Sequence, residues 1–133
     1  MERTYETQIG CPVAGTLDVI GDRWTILIMR DLLLGKSGKF KDLIESLQGI
    51  SPNLLATRLK RLEREGILER AFYSDHPPRA EYRFTPKGEE LGSVVRAMAH
   101  WGYKHRLTDD QREQAARLVP GLDPANGLDA DPA

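Results

Sequence analysis

The chain has one cysteine, Cys11, in 133 residues, so no disulfide can form within it. The setting this predicts is reducing and cytoplasmic. Long apolar runs are missing as well. The longest, 26–29 and 32–34, fall far short of the roughly 20 residues a membrane-spanning helix needs. The opening stretch MERTYETQIG carries no apolar signal region, so no export is expected. There is no nucleophile elbow, no glycine loop shaped for phosphates and no paired-carboxylate site. His76, His100 and His105 lack metal-ligand spacing with one another or with Cys11. No residue constellation for an enzyme is left, and neither a metal nor another cofactor is expected.

What is present is a globular composition with an uneven charge. The net charge of −1 hides a division. After Thr108 stand six acidic residues (Asp109, Asp110, Glu113, Asp123, Asp129 and Asp131) against Arg112 and Arg117. The preceding segment holds 17 basic and 14 acidic residues, a mildly basic body ahead of an acidic tail.

Helical signals follow in close order. PVAGTLDVI (12–20) puts Val13, Leu17 and Ile20 on one face, with Pro12 suited to a first turn. Asp22 can cap WTILIMRDLLL (24–34), which is apolar nearly all round and therefore expected inside the domain. Gly35 ends it. KSGKF reads as a short extended link. A helix over 39–47 follows, with Phe40, Leu43, Ile44 and Leu47 spaced for burial. Then comes the turn QGIS, and Ser51 and Pro52 form a strong start for a helix reaching about Glu65 and Gly66.

Two helices across a four-residue, glycine-containing turn have the spacing of a helix-turn-helix. The strand-like segments ILERAFYS and AEYRF flank the turn cluster DHPPR, which predicts a hairpin directly afterwards. Thr85 and Pro86 start one more helix, expected to run to about Arg106. Its stripe is Leu91, Val94, Val95, Met98, Trp101, Gly102 and His105. Thr108 and Gln111 offer a capping box for a last short helix. The predicted class is mainly α with a small β-hairpin, an α+β winged helix-turn-helix with further N- and C-terminal helices, to which the resemblance given below assigns dimerisation. The expected layout is a flexible arm over 1–10, the domain over 11–107, a short helix over 108–119 and a disordered acidic tail over 120–133.

On the helix that starts at Pro52, Leu54, Leu55, Leu59 and Leu62 cluster on one side at about 100° per residue. Asn53, Ala56, Thr57, Lys60, Arg61 and Arg64 lie on or beside the other. Small residues at Ala56 and Thr57 allow close approach to a groove, and Asn53 and Thr57 can read base edges. Lys60 and Arg61 can reach phosphate or base, and the amides after Ser51 and Pro52 favour a phosphate. Arg58 projects near the apolar side, where a carboxylate such as Asp42 or Glu63 is the expected partner. Arg79 stands beside HPP at the hairpin tip, placed for a minor groove or a phosphate. The competing reading of Lys60, Arg61 and Arg64 is a solvated face with local glutamate pairs, and that of Arg79 is an exposed loop arginine.

Three stretches together, CPVAGTLDVIGDRWTILIMRDLLLGKSGKFKDL, GISPNLLATRLKRLEREGILER and PPRAEYRFTPKGEEL, resemble the HxlR-type winged helix-turn-helix transcription regulators, relatives of the MarR-like group. The resemblance spans roughly 11–106. It implies a homodimer on double-stranded DNA, a recognition helix over 51–65 and a wing over 75–79. Dimer contacts would come from Val13 and Leu17 on the first helix and from Leu91, Val94, Val95, Met98 and Trp101 on the later one. Lys39 stands where the family most often has arginine, which keeps the charge but not a two-pronged contact. Some members sense oxidants through a cysteine placed like Cys11, so Cys11 is the candidate redox sensor, with an inert thiol near the dimer contact as the plainer alternative.

The functional expectation is a sequence-specific transcription regulator on a pseudo-palindromic operator, responsive to redox state or to a ligand. Trp24, Met98, Trp101 and Tyr103 read first as core and interface residues, and second as the lining for an unidentified small-molecule effector. The rival is a winged-helix module that binds protein rather than DNA, since fold alone does not fix function. An apolar outward face on the 51–65 helix would favour that rival.

Overall fold

The computed structural model describes residues 10–119. The expected flexible arm, except for Gly10, and the expected disordered tail lie outside the described residues. The described chain falls into two compact units, one ending at Glu89 and one beginning at Glu90.

The first unit runs α1 (Pro12–Ile20), α2 (Arg23–Leu33), α3 (Phe40–Ser46), α4 (Pro52–Arg64), β1 (Leu68–Asp75), β2 (Pro78–Phe84) and α5 (Pro86–Glu89). Its core is made by periodicity. Leu55, Leu59 and Leu62 recur along one side of α4 and are fully buried, together with Ile28 and Met29 of α2, Leu43 of α3 and Leu68 of β1. Complete burial of such a side chain stabilises by about 1.5–3 kcal/mol. α2 lies against α1, α3 and α4, and so is central to the unit.

α2 is not apolar throughout its buried side, as its sequence suggested. Thr25 and Asp31 are also buried there. Asp22 caps the helix as predicted: its Oδ1 accepts from the Thr25 amide at 2.9 Å and its Oδ2 from the Thr25 hydroxyl at 2.7 Å. Asp31 is held at one oxygen, with Arg30 Nη2 at 2.9 Å and Lys36 Nζ at 3.9 Å from its Oδ1.

The helix-turn-helix is α3, a turn over 47–51, and α4. Leu47 and Ile50 are buried beneath the turn. Gly49 takes φ +96°, a conformation a side chain disfavours. Ser51 Oγ then accepts from the Leu54 amide at 3.1 Å and Pro52 occupies the first turn, so the predicted start of α4 is present.

β1 and β2 pair antiparallel, from Leu68 opposite Phe84 to Asp75 opposite Pro78. Strand pairing reaches further into DHPPR than the sequence suggested. Only His76 and Pro77 form the tip, and Arg79 lies on β2 opposite Ser74. KSGKF is extended as expected, and it also joins the hairpin: Lys39 bridges Glu81, and the Tyr82 amide donates to the Gly38 carbonyl at 3.0 Å.

Thr85 caps α5, its Oγ1 accepting from the Gly88 amide at 3.0 Å. The single helix expected from Pro86 to about Arg106 is broken. α5 stops at Glu89, and α6 (Gly92–Arg106) begins the second unit. Gly88 and Gly92 flank the break and are poor helix formers. Glu90 and Leu91 form the turn between the two helices. α7 (Asp109–Leu118) follows with the predicted capping box: Thr108 Oγ1 accepts from the Gln111 amide, and Gln111 Oε1 from the Thr108 amide. Arg112 of α7 donates to the carbonyls of Tyr103 (2.9 Å) and Lys104 (2.7 Å) at the end of α6.

Among the described residues, no helix is long and apolar enough to cross a membrane.

Candidate nucleic-acid interface

Burial of Leu55, Leu59 and Leu62 fixes the rotation of α4 and thereby decides what faces outward. Ser51, Pro52, Asn53, Thr57, Lys60 and Arg64 are exposed, and Ala56 is half-buried between them. The Ser51 hydroxyl is engaged as the helix cap. The Thr57 hydroxyl donates to the Asn53 carbonyl at 2.8 Å, which leaves its methyl and its acceptor lone pairs for a partner. Asn53 presents an amide that can both donate and accept, the pattern an adenine edge requires.

The cations of α4 divide into two pairs. Lys60 and Arg64 are exposed, and among the described residues neither has a carboxylate at ion-pair distance. Of the competing expectation, the solvated face is present for these two cations and the local glutamate pairs are not. Glu63 instead meets Arg70 of β1 at 2.9 Å.

Arg58 and Arg61 turn the other way. Arg58 Nε lies 3.2 Å from Asp22 Oδ1, so the expected internal partner exists but is neither Asp42 nor Glu63. Arg61 corrects the sequence reading more strongly. It is half-buried, and its Nη2 donates to the carbonyl of Asp18 in the last turn of α1. A guanidinium there meets carbonyls left unpaired at a helix end and the negative end of its dipole. Arg61 therefore ties the α1–α2 junction to α4 and leaves the expected DNA-binding set.

Asp22 both caps α2 and pairs with Arg58 at that junction. Burial alone would raise its carboxyl. The hydrogen bonds from Thr25 and the Arg58 guanidinium outweigh burial and bring it below the ordinary carboxylate value. On the hairpin, burial and the nearby Glu63 push the Tyr82 phenol up, with Arg70 acting in the opposite sense.

Arg79 is exposed on the hairpin, without a carboxylate partner among the described residues. Lys39 stands at the start of α3, its ammonium 4.5 Å from the ring centre of Tyr73. The sequence reading missed Tyr73. It saw the residue only as an aromatic suited to a strand, and nothing local announces that it meets Lys39.

Cys11 is half-buried and precedes Pro12 at the start of α1, its carbonyl accepting from the Gly15 amide at 2.9 Å. On α1, Val13 is 69% exposed and Leu17 41%. On α6, Met98 is 51% exposed, Trp101 60% and Val94 half-buried, and Leu91 just before the helix is also half-buried. Val95 is buried within its own chain, so it leaves the set expected to meet a partner. His105 stacks obliquely on Trp101, ring centres 5.0 Å apart.

The chain as a whole is similar to known proteins. Residues 19–110 match the model of the HxlR-like helix-turn-helix family. The HTH-type transcriptional regulator YdeP of Bacillus subtilis is 35% identical over 108 residues, covering 81% of this chain and 84% of YdeP. The solved structure of PA1607, described as a candidate transcription factor, superposes with a TM-score of 0.70 at 37% identity, covering 80% of this chain and 73% of that one. The redox regulator HypR in its reduced form superposes with a TM-score of 0.67 at 31% identity, covering 77% and 98%. The chain belongs to the HxlR-like helix-turn-helix family of transcriptional regulators.

Proposed function

We propose that the protein binds duplex DNA sequence-specifically as a homodimer, α4 entering the major groove and the hairpin meeting the flanking backbone. The observation that carries this is the outward face of α4. It is polar and cationic, with Asn53, Thr57, Lys60 and Arg64 exposed and the two cations free of carboxylates among the described residues. A protein-docking face would be apolar, so the rival interaction module is disfavoured.

A helix presenting small residues, an amide and lysine suits base edges and phosphates together. Two copies would place their α4 helices about 34 Å apart, one turn of DNA, on a pseudo-palindromic site. Val13 and Leu17 of α1, and Met98 and Trp101 of α6, are the exposed apolar residues that a second copy would cover. The test is binding to an operator selected from randomised duplexes by the wild-type chain. Asn53→Ala should relax base preference at one position in each half-site. Unchanged preference would remove Asn53 from the reading face.

A second reading concerns the signal. Likeness to HypR, named a redox regulator, together with Cys11 at the start of α1, supports Cys11 as a sensor. With one cysteine per chain, oxidation would join two Cys11 sulfurs from different protomers, or Cys11 and a small thiol. The two thiol protons and two electrons would pass to a peroxide. Cys11→Ser should keep its operator when peroxide is added under conditions that release the wild type. Equal release would exclude Cys11.

A further inference from the structure

The tip-side half of the hairpin holds a second cation arrangement that the α4 reading does not use. The register slips between Phe72 and Ser74: Phe72 pairs with Ala80 and Ser74 with Arg79, so Tyr73 has no partner across the ladder. Such a bulge re-aims a side chain. Tyr73 is 48% exposed, and the Lys39 ammonium lies over its ring at 4.5 Å, within cation–π range.

Lys39 is half-buried, and its backbone is held on several sides. It bridges Glu81 of β2, its amide donates to Ser37 Oγ at 3.2 Å, and its carbonyl accepts from the amides of Asp42 and Leu43 at the start of α3. The neighbouring Gly38 admits this pairing, since a Cβ there would collide with the Tyr82 carbonyl. One comparison distinguishes Lys39 from the other cation that lies over a ring of the hairpin. Arg70 also lies over an aromatic ring, that of Phe72 at 5.6 Å, but its charge is balanced by Glu63. Among the described residues Lys39 meets no carboxylate, and its only charge partner is the face of Tyr73.

We infer that Tyr73 is a positioning residue for binding the DNA backbone: the ring freed by the bulge holds the Lys39 ammonium in place as a preset phosphate contact where the hairpin joins α3. This rests on the DNA-binding reading above. The physical gain is in order. A free lysine samples many rotamers and loses them on binding a phosphate, whereas one already resting on a ring loses fewer. The ring face attracts the ammonium without neutralising it, so the full positive charge stays available to a phosphate. A carboxylate in the same place would cancel it.

The test measures affinity for a mixed-sequence duplex across a salt series, using the full-length chain as wild type, Lys39→Ala, Tyr73→Ala, Tyr73→Phe and the Lys39→Ala/Tyr73→Ala double variant. Thermal melts confirm that each is folded. Lys39→Ala should lower the salt slope by about one. Tyr73→Ala should weaken binding about two- to fivefold, and Tyr73→Phe should match wild type because the ring face is kept. Once Lys39 is alanine, removing the Tyr73 ring should change nothing more. The inference is overturned if Tyr73→Ala binds like wild type, if its loss adds in full to that of Lys39→Ala, or if Tyr73→Phe is as weak as Tyr73→Ala. A wild-type chain that binds no duplex at any salt would sink the DNA-binding reading itself, a result visible before any variant is compared.

Discussion

α4 and α6 are of similar length, 13 and 15 residues, and both carry apolar residues at helical spacing. Their apolar sides end differently. α4 buries Leu55, Leu59 and Leu62 completely within its own unit. α6 buries Gly92 and Val95 and leaves Met98 and Trp101 largely exposed. An apolar face that the chain itself satisfies leaves only polar groups to face outward, and on α4 those groups suit nucleic acid. An apolar face left open needs another surface, and a second copy is the partner we propose for α6. The same periodic signal thus accompanies a satisfied core in one place and an open apolar face in another. What separates them is whether the chain covers the stripe.

The contrast can be broken by truncating each stripe. Leu59→Ala should lower folding stability by about 2–5 kcal/mol, measured by urea unfolding, because it opens a cavity in the core. Trp101→Ala should instead leave unfolding of the protomer nearly unchanged and weaken self-association by about 2 kcal/mol, near thirtyfold, in sedimentation over a dilution series. Equal effects of both on protomer unfolding would erase the distinction.

A smaller effect sharpens the same comparison at the support of α4. Asp22→Ala removes the cap of α2 and the partner of Arg58, and should cost about 1 kcal/mol. Asp22→Asn keeps a cap acceptor and removes the charge. The folded Asp22 carboxyl lies below its ordinary value of 3.8. Its stabilisation is therefore complete above that value and is lost as pH falls through the folded value. The stability gap between wild type and Asp22→Asn should narrow in that acid range and stay constant above it. A constant gap at all pH would mean the Arg58 pair contributes nothing.

Much of this architecture is legible because its signals are local. Asp22, Ser51, Thr85 and the Thr108–Gln111 pair each cap a helix within three residues of themselves, and the leucines of α4 need only counting. What was hidden depends on residues far apart in sequence. Arg61 sits on the flank of α4, and only a carbonyl 43 positions away decides that it turns inward. Arg58 was expected to find an internal carboxylate, but which one depends on how α2 crosses α4. Tyr73 owes its direction to a register slip set by the whole hairpin. Val95 lies on the same sequence stripe as Trp101, and only folding separates the buried residue from the exposed one. The break after Glu89 was signalled weakly by Gly88 and Gly92, and a strong cap at Thr85 masked it.

The central claim is that the cations of α4 divide into an outward set that meets DNA and an inward set that holds the fold. The most direct measurement is the salt dependence of duplex binding for Lys60→Ala beside Arg61→Ala. The account predicts that Lys60→Ala lowers the slope by about one at unchanged melting temperature. Arg61→Ala should leave the slope intact and lower the melting temperature. Equal slope losses for the two, or none for Lys60→Ala, would contradict it.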